Sequence, residues 1–479
     1  MKTRAAGSLS DKLYAQAYRY IADRIERGEW NAHDKLPSVR MLAQEMDVHR
    51  LTVLRAYQML KLDGIVYVKE KSGYYVSPPR ERTEAPFEFQ AMPPIPPSGR
   101  MNDQMAAIQQ VPVVYQLSQA LIDPNLLPNF YLSDYVKKVF DIYPRLMGTY
   151  SAPQGDPELR EALGSHLSGQ MGVPLAPEAI TITTGAQQAI DLLARIFARP
   201  MDAVMVERPT YGAAIDILRL HGARLLPVDI GPDGYDMERV EELMRLHRPK
   251  MFYLNPTFHN PTGLTVPAAA RKRLVELAER YRCLLVEDDA LHDMYFDQPP
   301  PPPLYAYDTE GWVVYLRSFS KYVAPGLRIC AVAGSKPVTE RLAAAKSLTD
   351  NGTPLVNQKI FLHYFQSERM RRHIGKLRTA LQVRRDIMEE GLAGAGWQWR
   401  SPNGGFNLWI RLPEPLDGRR LLGESLRQSV SFVPGEICDP LGEMTSYVRL
   451  SFAYINEKQI KEGVRLLRKA AEYVVESGS

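Results

Sequence analysis

The chain holds 479 residues, 45% hydrophobic and 24% charged, with a net charge of +4. That is the composition of a globular protein long enough for two or three domains, and no run of 18 apolar residues is present, which argues against a membrane-spanning helix. Three scattered cysteines, Cys283, Cys330 and Cys438, give neither a disulfide framework nor a metal-ligand spacing, and the start Met1–Gly7 lacks the apolar core of a signal peptide, so the expected compartment is the cytoplasm.

The charge is uneven. Residues 1–77 carry 13 lysines and arginines against nine acids, the whole of the surplus, while the other 402 residues balance. A local basic excess points to a polyanionic partner for the first segment. There, Leu13, Ala17, Ile21 and Ile25 recur every four residues and predict an amphipathic helix with Ser10 as N-cap, ending near Gly28. Leu36-Pro37-Ser38 opens a second helix, capped by Ser38, with Leu42 and Ala43 facing inward. It breaks at Met46-Asp47-Val48. A third helix runs from near His49 through Val53, Ala56, Tyr57 and Leu60 to Gly64. Two short helices joined by a tight turn make a helix-turn-helix, whose second member can enter a major groove. Residues 65–76, with a turn at Gly73, read as a β-hairpin wing. Arg40, His49, Arg50, Thr52 and Arg55 are the polar groups that such a motif would present to phosphates and base edges. Each alone could equally be part of a solvated helix face.

Residues 78–113 are crowded with prolines and lack either periodicity, which predicts an extended, semi-stiff linker and a domain boundary. Beyond it, strand-like runs at 180–183, 203–206, 251–254, 283–286, 313–316 and 329–333 alternate with helical segments. That rhythm predicts an α/β domain over 114–479 with a largely parallel sheet, helices on both faces, and function on the loops at the strand ends.

Those loops carry the chemistry. Thr184-Gly185-Ala186-Gln187 enters a helix N-terminus, which offers amides and a dipole to a phosphate. Tyr211 follows the second run and could stack on a flat ring. Asn260 sits in a polar, rigid turn, Asn255-Pro256-Thr257-Phe258-His259-Asn260-Pro261-Thr262-Gly263. Asp288 emerges from a buried strand, where a carboxylate is costly unless paired. The fifth run ends in Ser318-Phe319-Ser320-Lys321, and Arg328 follows seven residues later. Hydroxyls and an arginine suit a phosphate, and a lysine held there can lose its proton and attack a carbonyl. Phosphate plus aldehyde suggests pyridoxal phosphate (PLP). The plain alternatives are a solvated lysine, a core tyrosine and a helix-capping aspartate. Pro299 to Pro303 read as a spacer, and Phe406 and Trp409 as packing of a small C-terminal domain, with a possible edge on the substrate site.

Two resemblances follow from these motifs. Residues 10–77 resemble the winged helix-turn-helix of the GntR regulators, which implies contacts to operator DNA from Arg40, Arg50, Thr52 and the wing glycine Gly73. Asp47 stands where that family usually has glycine, and Asp tolerates a left-handed turn. Residues from about 115 to 475 resemble the fold type I PLP enzymes, the class I and II aminotransferases. That implies a Schiff base at Lys321, Asp288 on the pyridine nitrogen, Asn260 on the ring hydroxyl and Tyr211 stacked on the ring. It implies Ala186, Gln187, Ser318 and Arg328 on the phosphate, Tyr150 reaching the neighbouring subunit's phosphate, and Arg449 on a substrate carboxylate. The tyrosine that usually follows the aspartate by two or three residues is missing; Ala290 and Leu291 stand there. This implies weakened transamination chemistry.

Head, linker and aminotransferase-like domain in this order resemble the MocR subfamily of GntR-type regulators. The resemblance implies a head-to-tail homodimer that binds double-stranded DNA and senses PLP or a small amino compound. A PLP-dependent aminotransferase with an accessory DNA-binding head is the alternative, and a PLP domain kept only as a dimerisation scaffold is a third.

Overall fold

The computed structural model describes residues 9–69, 72–78, 108 and 111–478, and the chain divides into two compact units, Met1–Pro94 and Ile95–Ser479. The first unit contains α1 (Leu9–Glu26), α2 (Val39–Glu45), α3 (Arg50–Leu62) and a hairpin of β1 (Val66–Lys69) and β2 (Gly73–Val76). Ser10 lies within α1 as described, near its start at Leu9. Ser38 caps α2, its Oγ accepting the Met41 amide at 3.2 Å. Asp47 adopts φ +52° between α2 and α3, which is the left-handed turn expected of it. Ala17, Ile21, Leu42, Val53, Ala56 and Leu60 close a fully buried core. Burying each large aliphatic member contributes roughly 1.5–3 kcal/mol. Tyr57 stacks on Tyr74 at 4.4 Å and donates its hydroxyl to the Pro37 carbonyl at 2.7 Å, so one side chain ties α3 to the wing and to the entry of α2.

Most of the proline-rich stretch lies outside the described residues. At its end Ile108 is buried in the second unit against Val433, Ile437 and Cys438.

The second unit is built on an eight-stranded sheet: β3 (Ile180–Thr184), β4 (Ala203–Arg208), β5 (Arg224–Gly231), β6 (Gly234–Tyr235), β7 (Met251–Leu254), β8 (Leu284–Asp289), β9 (Val313–Ser318) and β10 (Ile329–Ala333). Their order is β3-β10-β9-β8-β7-β4-β5-β6. β9, β8, β7, β4 and β5 are parallel, and β10 runs antiparallel to both its neighbours. The central strands are buried on both faces, which is why they read as unbroken apolar runs. One face is covered by α5 (Ala186–Phe197) and α6 (Gly212–Leu220), packed through Ile190, Leu193 and Leu218 on Val204, Val314 and Leu316. The other is covered by helices that include α7 (Ala268–Tyr281), through Leu274 and Leu277 on Met205, Phe252 and Leu285. Before the sheet comes α4 (Asn129–Ile142).

A four-stranded sheet, in the order β11 (Gln398–Trp399), β12 (Asn407–Arg411), β14 (Tyr447–Ser451), β13 (Val433–Pro434), forms the small C-terminal part. The long helices α8 (Glu368–Leu392) and α9 (Glu457–Gly478) pack with it through Leu377, Leu381, Val464 and Leu467. The five prolines 299–303 do more than space two elements. Buried Arg271 donates Nη1 to the carbonyls of Pro301 and Pro302, and buried Glu287 accepts the amides of Leu304 and Tyr305 just after them.

Candidate functional site

The loops at the C-terminal ends of β3, β4, β7, β8 and β9 converge on a cavity of about 650 Å³. Ala186, Gln187, Tyr211, Asn260, Asp288, Ser318, Lys321, Arg328 and Arg449 all line it. Lys321 follows β9. Removal from water lowers its amine from 10.5 to about 8, the Arg449 and Arg328 cations push the same way, and Asp288 opposes them.

Asp288, in β8, is 5% exposed. Its Oδ2 accepts the Tyr253 hydroxyl at 2.8 Å, while its buried Oδ1 has no hydrogen-bond partner among the described residues. Burial raises the carboxyl to about 6 against the lowering effect of the tyrosine hydroxyl. A buried acid in a cavity wall, with one oxygen satisfied and the other without a partner, suits a cationic N–H donor. Asn255 fixes the surrounding backbone. Its Oδ1 accepts the Asn260 amide at 2.7 Å, its Nδ2 donates to the Asp288 carbonyl, and its own amide donates to Glu207 Oε2 at 2.7 Å. Glu207 is itself buried at the end of β4 and accepts the Tyr235 hydroxyl at 2.7 Å.

At the mouth of β3, Gly185 has φ +87° and stands directly against Arg328. A Cβ built there would meet the Arg328 guanidinium, and the backbone conformation itself favours glycine. Arg328 Nη2 donates to the Thr184 carbonyl at 3.1 Å. The α5 amides, the guanidinium and the hydroxyls of Ser318 and Ser320 compose an anion cradle. Gln187 Nε2 donates to the Tyr211 hydroxyl at 3.2 Å, which links this cradle to the aromatic ring. Arg449, on β14, donates Nη1 to Asn260 Oδ1 at 3.0 Å and Nη2 to the Ser118 carbonyl at 2.7 Å. Its buried Nε has no partner among the described residues.

Tyr150 is 84% exposed and does not line this cavity. Ala290 and Leu291 do line it, and neither offers a donor. His292 does not substitute for the absent tyrosine, because its Nδ1 lies 2.7 Å from Asp289 Oδ2. Nor does Tyr295, whose ring lies under Arg378 at 3.5 Å. Phe406 edges the cavity, whereas Trp409 stacks on Tyr447 at 5.3 Å. Tyr253, Asn407 and Asp216 are cavity residues that the sequence did not single out, and Asn255, which opens the polar turn, lines the cavity as well.

In the first unit, Arg40, His49, Arg50 and Arg55 are exposed and Thr52 is half-buried. His49 caps α3, its Nδ1 accepting the Leu51 amide at 3.3 Å, so one of its ring nitrogens is committed to the helix. Gly73 begins β2 with φ +117°, a conformation that favours glycine.

Residues 144–467 match the family model of class I and II aminotransferases, and residues 13–76 match that of bacterial regulatory proteins of the gntR family. The chain is 31% identical to the uncharacterized HTH-type transcriptional regulator YisV of Bacillus subtilis, over 97% of each chain. It is 32% identical to aromatic-amino-acid aminotransferase 1 of Thermococcus litoralis, over 74% of this chain and 87% of that one. Among solved structures, the kynurenine aminotransferase of Pyrococcus horikoshii in complex with PMP superposes with a TM-score of 0.73 at 30% identity, covering 78% of this chain and 94% of that one. LysN, the α-aminoadipate aminotransferase of Thermus thermophilus, complexed with N-(5'-phosphopyridoxyl)-L-leucine, does so with a TM-score of 0.73 at 30% identity, covering 79% and 97%.

Proposed function

The chain belongs to the class I and II aminotransferase family and carries a gntR-type head, and on that premise we propose a DNA-binding transcription regulator that holds PLP at Lys321 and responds to an amino compound. The observation that carries this reading is Asp288 Oδ1. It is a buried carboxylate oxygen, without a partner among the described residues, in the cavity shared by Lys321 and Arg328. A protonated pyridine nitrogen is the donor that would satisfy it. The cradle at Gly185, Arg328 and Ser318 fits a phosphate, and Tyr211 presents a ring for stacking.

PLP, when bound, supplies an aldehyde that condenses with primary amines and a ring that withdraws electrons from the attached amine. The chain's own groups do the rest. Lys321 Nζ supplies the amine, and its depressed pKa leaves roughly a tenth of it as free base at pH 7, far more than an ordinary lysine offers. Asp288 would hold a proton on the ring nitrogen. Asn260, its Oδ1 already accepting from Arg449, keeps its amide nitrogen as the donor that would meet the ring hydroxyl. Arg449 grips a carboxylate, for which a guanidinium is suited. Arg40, Arg50, Thr52 and Gly73 face DNA, with His49 and Arg55 beside them.

The pH dependence follows from Lys321. Below about 8 its nitrogen is an ammonium and cannot attack; above about 8 it is free. The rate at which added PLP becomes fixable by borohydride is therefore expected to rise through pH 8 and then level, whereas a solvent-exposed lysine would keep gaining until about 10.4. A rate still climbing at pH 10 overturns the assignment.

We place the protein in the cytoplasm as a homodimer. Val136, Phe140 and Ile142 of α4 and then Met147 and Tyr150 are exposed apolar or aromatic groups in one stretch, as a self-complementary interface requires. A head-to-tail pairing would bring Tyr150 to the partner's phosphate.

A metabolic aminotransferase is the second reading, favoured by the presence together of Lys321, Asp288 and Arg449. Ala290 and Leu291 weigh against it, since each lost transition-state hydrogen bond costs on the order of 10²-fold in rate. The two separate in one experiment: PLP-loaded protein is mixed with amino acids while the visible spectrum, keto-acid product and operator affinity are followed. A ligand-dependent spectral change with altered DNA binding and slow product formation is expected. Turnover on the order of 10 s⁻¹ with DNA binding unmoved would establish the enzyme instead.

A further inference from the structure

Asp216 sits in the middle of α6, the helix that follows Tyr211. Its neighbours Ala214, Ile215 and Leu218 are buried and do the packing of that helix. Asp216 faces elsewhere. With Gly212 and Ala213 it lines the cavity, along with Val433, Ile437 and Cys438. Ala213 and Asp216 are three residues apart and share one helix face. Gly212 lies so near the Ile437 carbonyl that a Cβ there would stand 2.8 Å from it. Glycine at 212 thus lets the Ile437 backbone pack against the first turn of α6, which brings Ile437 to the same stretch of cavity wall as Ala213 and Asp216.

Asp216 is only 8% exposed, and its buried Oδ1 has no hydrogen-bond partner among the described residues. Arg219, three residues on, acts on it, but that guanidinium donates Nη2 to the Pro440 carbonyl at 2.5 Å. Burial outweighs the arginine and holds the carboxyl at about 6. Arg219, rather than Arg449 or Arg328, is the cation that acts on this carboxyl. An unpaired acid in an apolar wall is costly, and nothing in the packing of α6 calls for one. A perturbed carboxyl in a cleft is the signature of a ligand group.

We infer that Asp216 receives the cationic end of an amino acid, an α,ω-diamino acid or a guanidino amino acid, whose α-carboxylate is held by Arg449. The inference rests on the effector reading above and names its substrate class. Val433, Ile437 and Cys438 supply the apolar surface for the aliphatic stem, and Asp216 supplies the counter-charge.

The test uses the full-length, PLP-loaded protein and the visible spectrum as a binding readout. 2,4-Diaminobutyrate, ornithine, lysine and arginine are titrated against 2-aminobutyrate, norvaline, norleucine and citrulline, their respective uncharged counterparts. At least one cationic member is expected to half-saturate at roughly tenfold lower concentration than its counterpart. In Asp216→Asn that ratio is expected to fall to within about twofold, and Ala213→Leu, which enlarges a cavity-lining side chain one turn before Asp216, is expected to lower it as well. Thermal unfolding of both variants identifies a folding defect, and the second variant still decides the matter if the first does not fold. Equal half-saturation by charged and uncharged partners in the unaltered protein, or an unchanged ratio in Asp216→Asn, overturns the inference alone. No spectral response to any amino acid, with PLP bound, overturns the effector reading and the inference together.

Discussion

Lys321→Ala protein, loaded with PLP, treated with borohydride and then denatured, is expected to retain no cofactor, whereas the unaltered chain retains one per subunit. The loss should be complete, because fixation needs an amine at the aldehyde and, of the residues lining the cavity, only Lys321 is a lysine. Its amine is also brought within reach of neutral pH by burial and by Arg449 and Arg328. Binding itself should survive in part. Arg328, the start of α5 and the Ser318 hydroxyl still hold a phosphate, and charge-assisted hydrogen bonds of this kind contribute roughly 1.5–3 kcal/mol each. PLP should therefore bind the variant reversibly, quench intrinsic fluorescence, and leave on dialysis. Peptide mapping of the unaltered protein should place the fixed cofactor on Lys321. Fixation by the variant to the same extent as the parent would transfer the role to another lysine.

Much of this site was legible because strand ends announce themselves. A buried apolar run that stops in Ser318-Phe319-Ser320-Lys321, or in Glu287-Asp288-Asp289, puts polar groups where a sheet delivers them to one edge. The same rule placed Tyr211, Asn260 and the Gly185 loop. Asp47 was legible for a different reason, since an aspartate can take the left-handed turn that its neighbours need. Other residues gave no such signal. Tyr253 lies inside the apolar run Met251–Leu254 and reads as core; its hydroxyl matters only because β7 pairs with β8 in a register that sets Tyr253 beside Val286 and so near Asp288. Asp216 reads as one more aspartate on a helix surface until the helix is seen to turn it into a cavity. β5 was obscured by Pro227 and by charged residues at 224 and 229, which the chain tolerates because β5 lies near the edge of the sheet and pairs on its far side only at its end, with β6. The polyproline loop looked inert because the groups that hold it, Arg271 and Glu287, belong to distant segments.

Replacing both Arg40 and Arg50 by alanine is expected to abolish operator binding at physiological salt while leaving PLP uptake intact. The choice of these two arginines is structural. Arg24, in the same unit, spends its guanidinium on Glu29 at 2.5 Å and Glu45 at 3.0 Å and lies over the Trp30 ring at 4.8 Å. Arg40 and Arg50 are exposed, with no acidic partner recorded among the described residues, on α2 and at the first turn of α3. Cations held out on a helix-turn-helix without counter-ions are the ones available to phosphates and base edges. Arg50→Ala alone should cost roughly 1–3 kcal/mol, about 5- to 150-fold in affinity, and relax sequence preference at one position if it reads a base. Arg40→Ala should weaken all sequences alike and reduce the salt slope by about one if it meets a phosphate. Arg24→Ala is the control; its side chain serves the fold of the head, so thermal stability rather than the salt slope should change. PLP uptake stays, since every residue lining the cofactor cavity belongs to the second unit. Operator binding by the double variant at parental affinity and with the parental salt slope would remove α3 from the DNA interface.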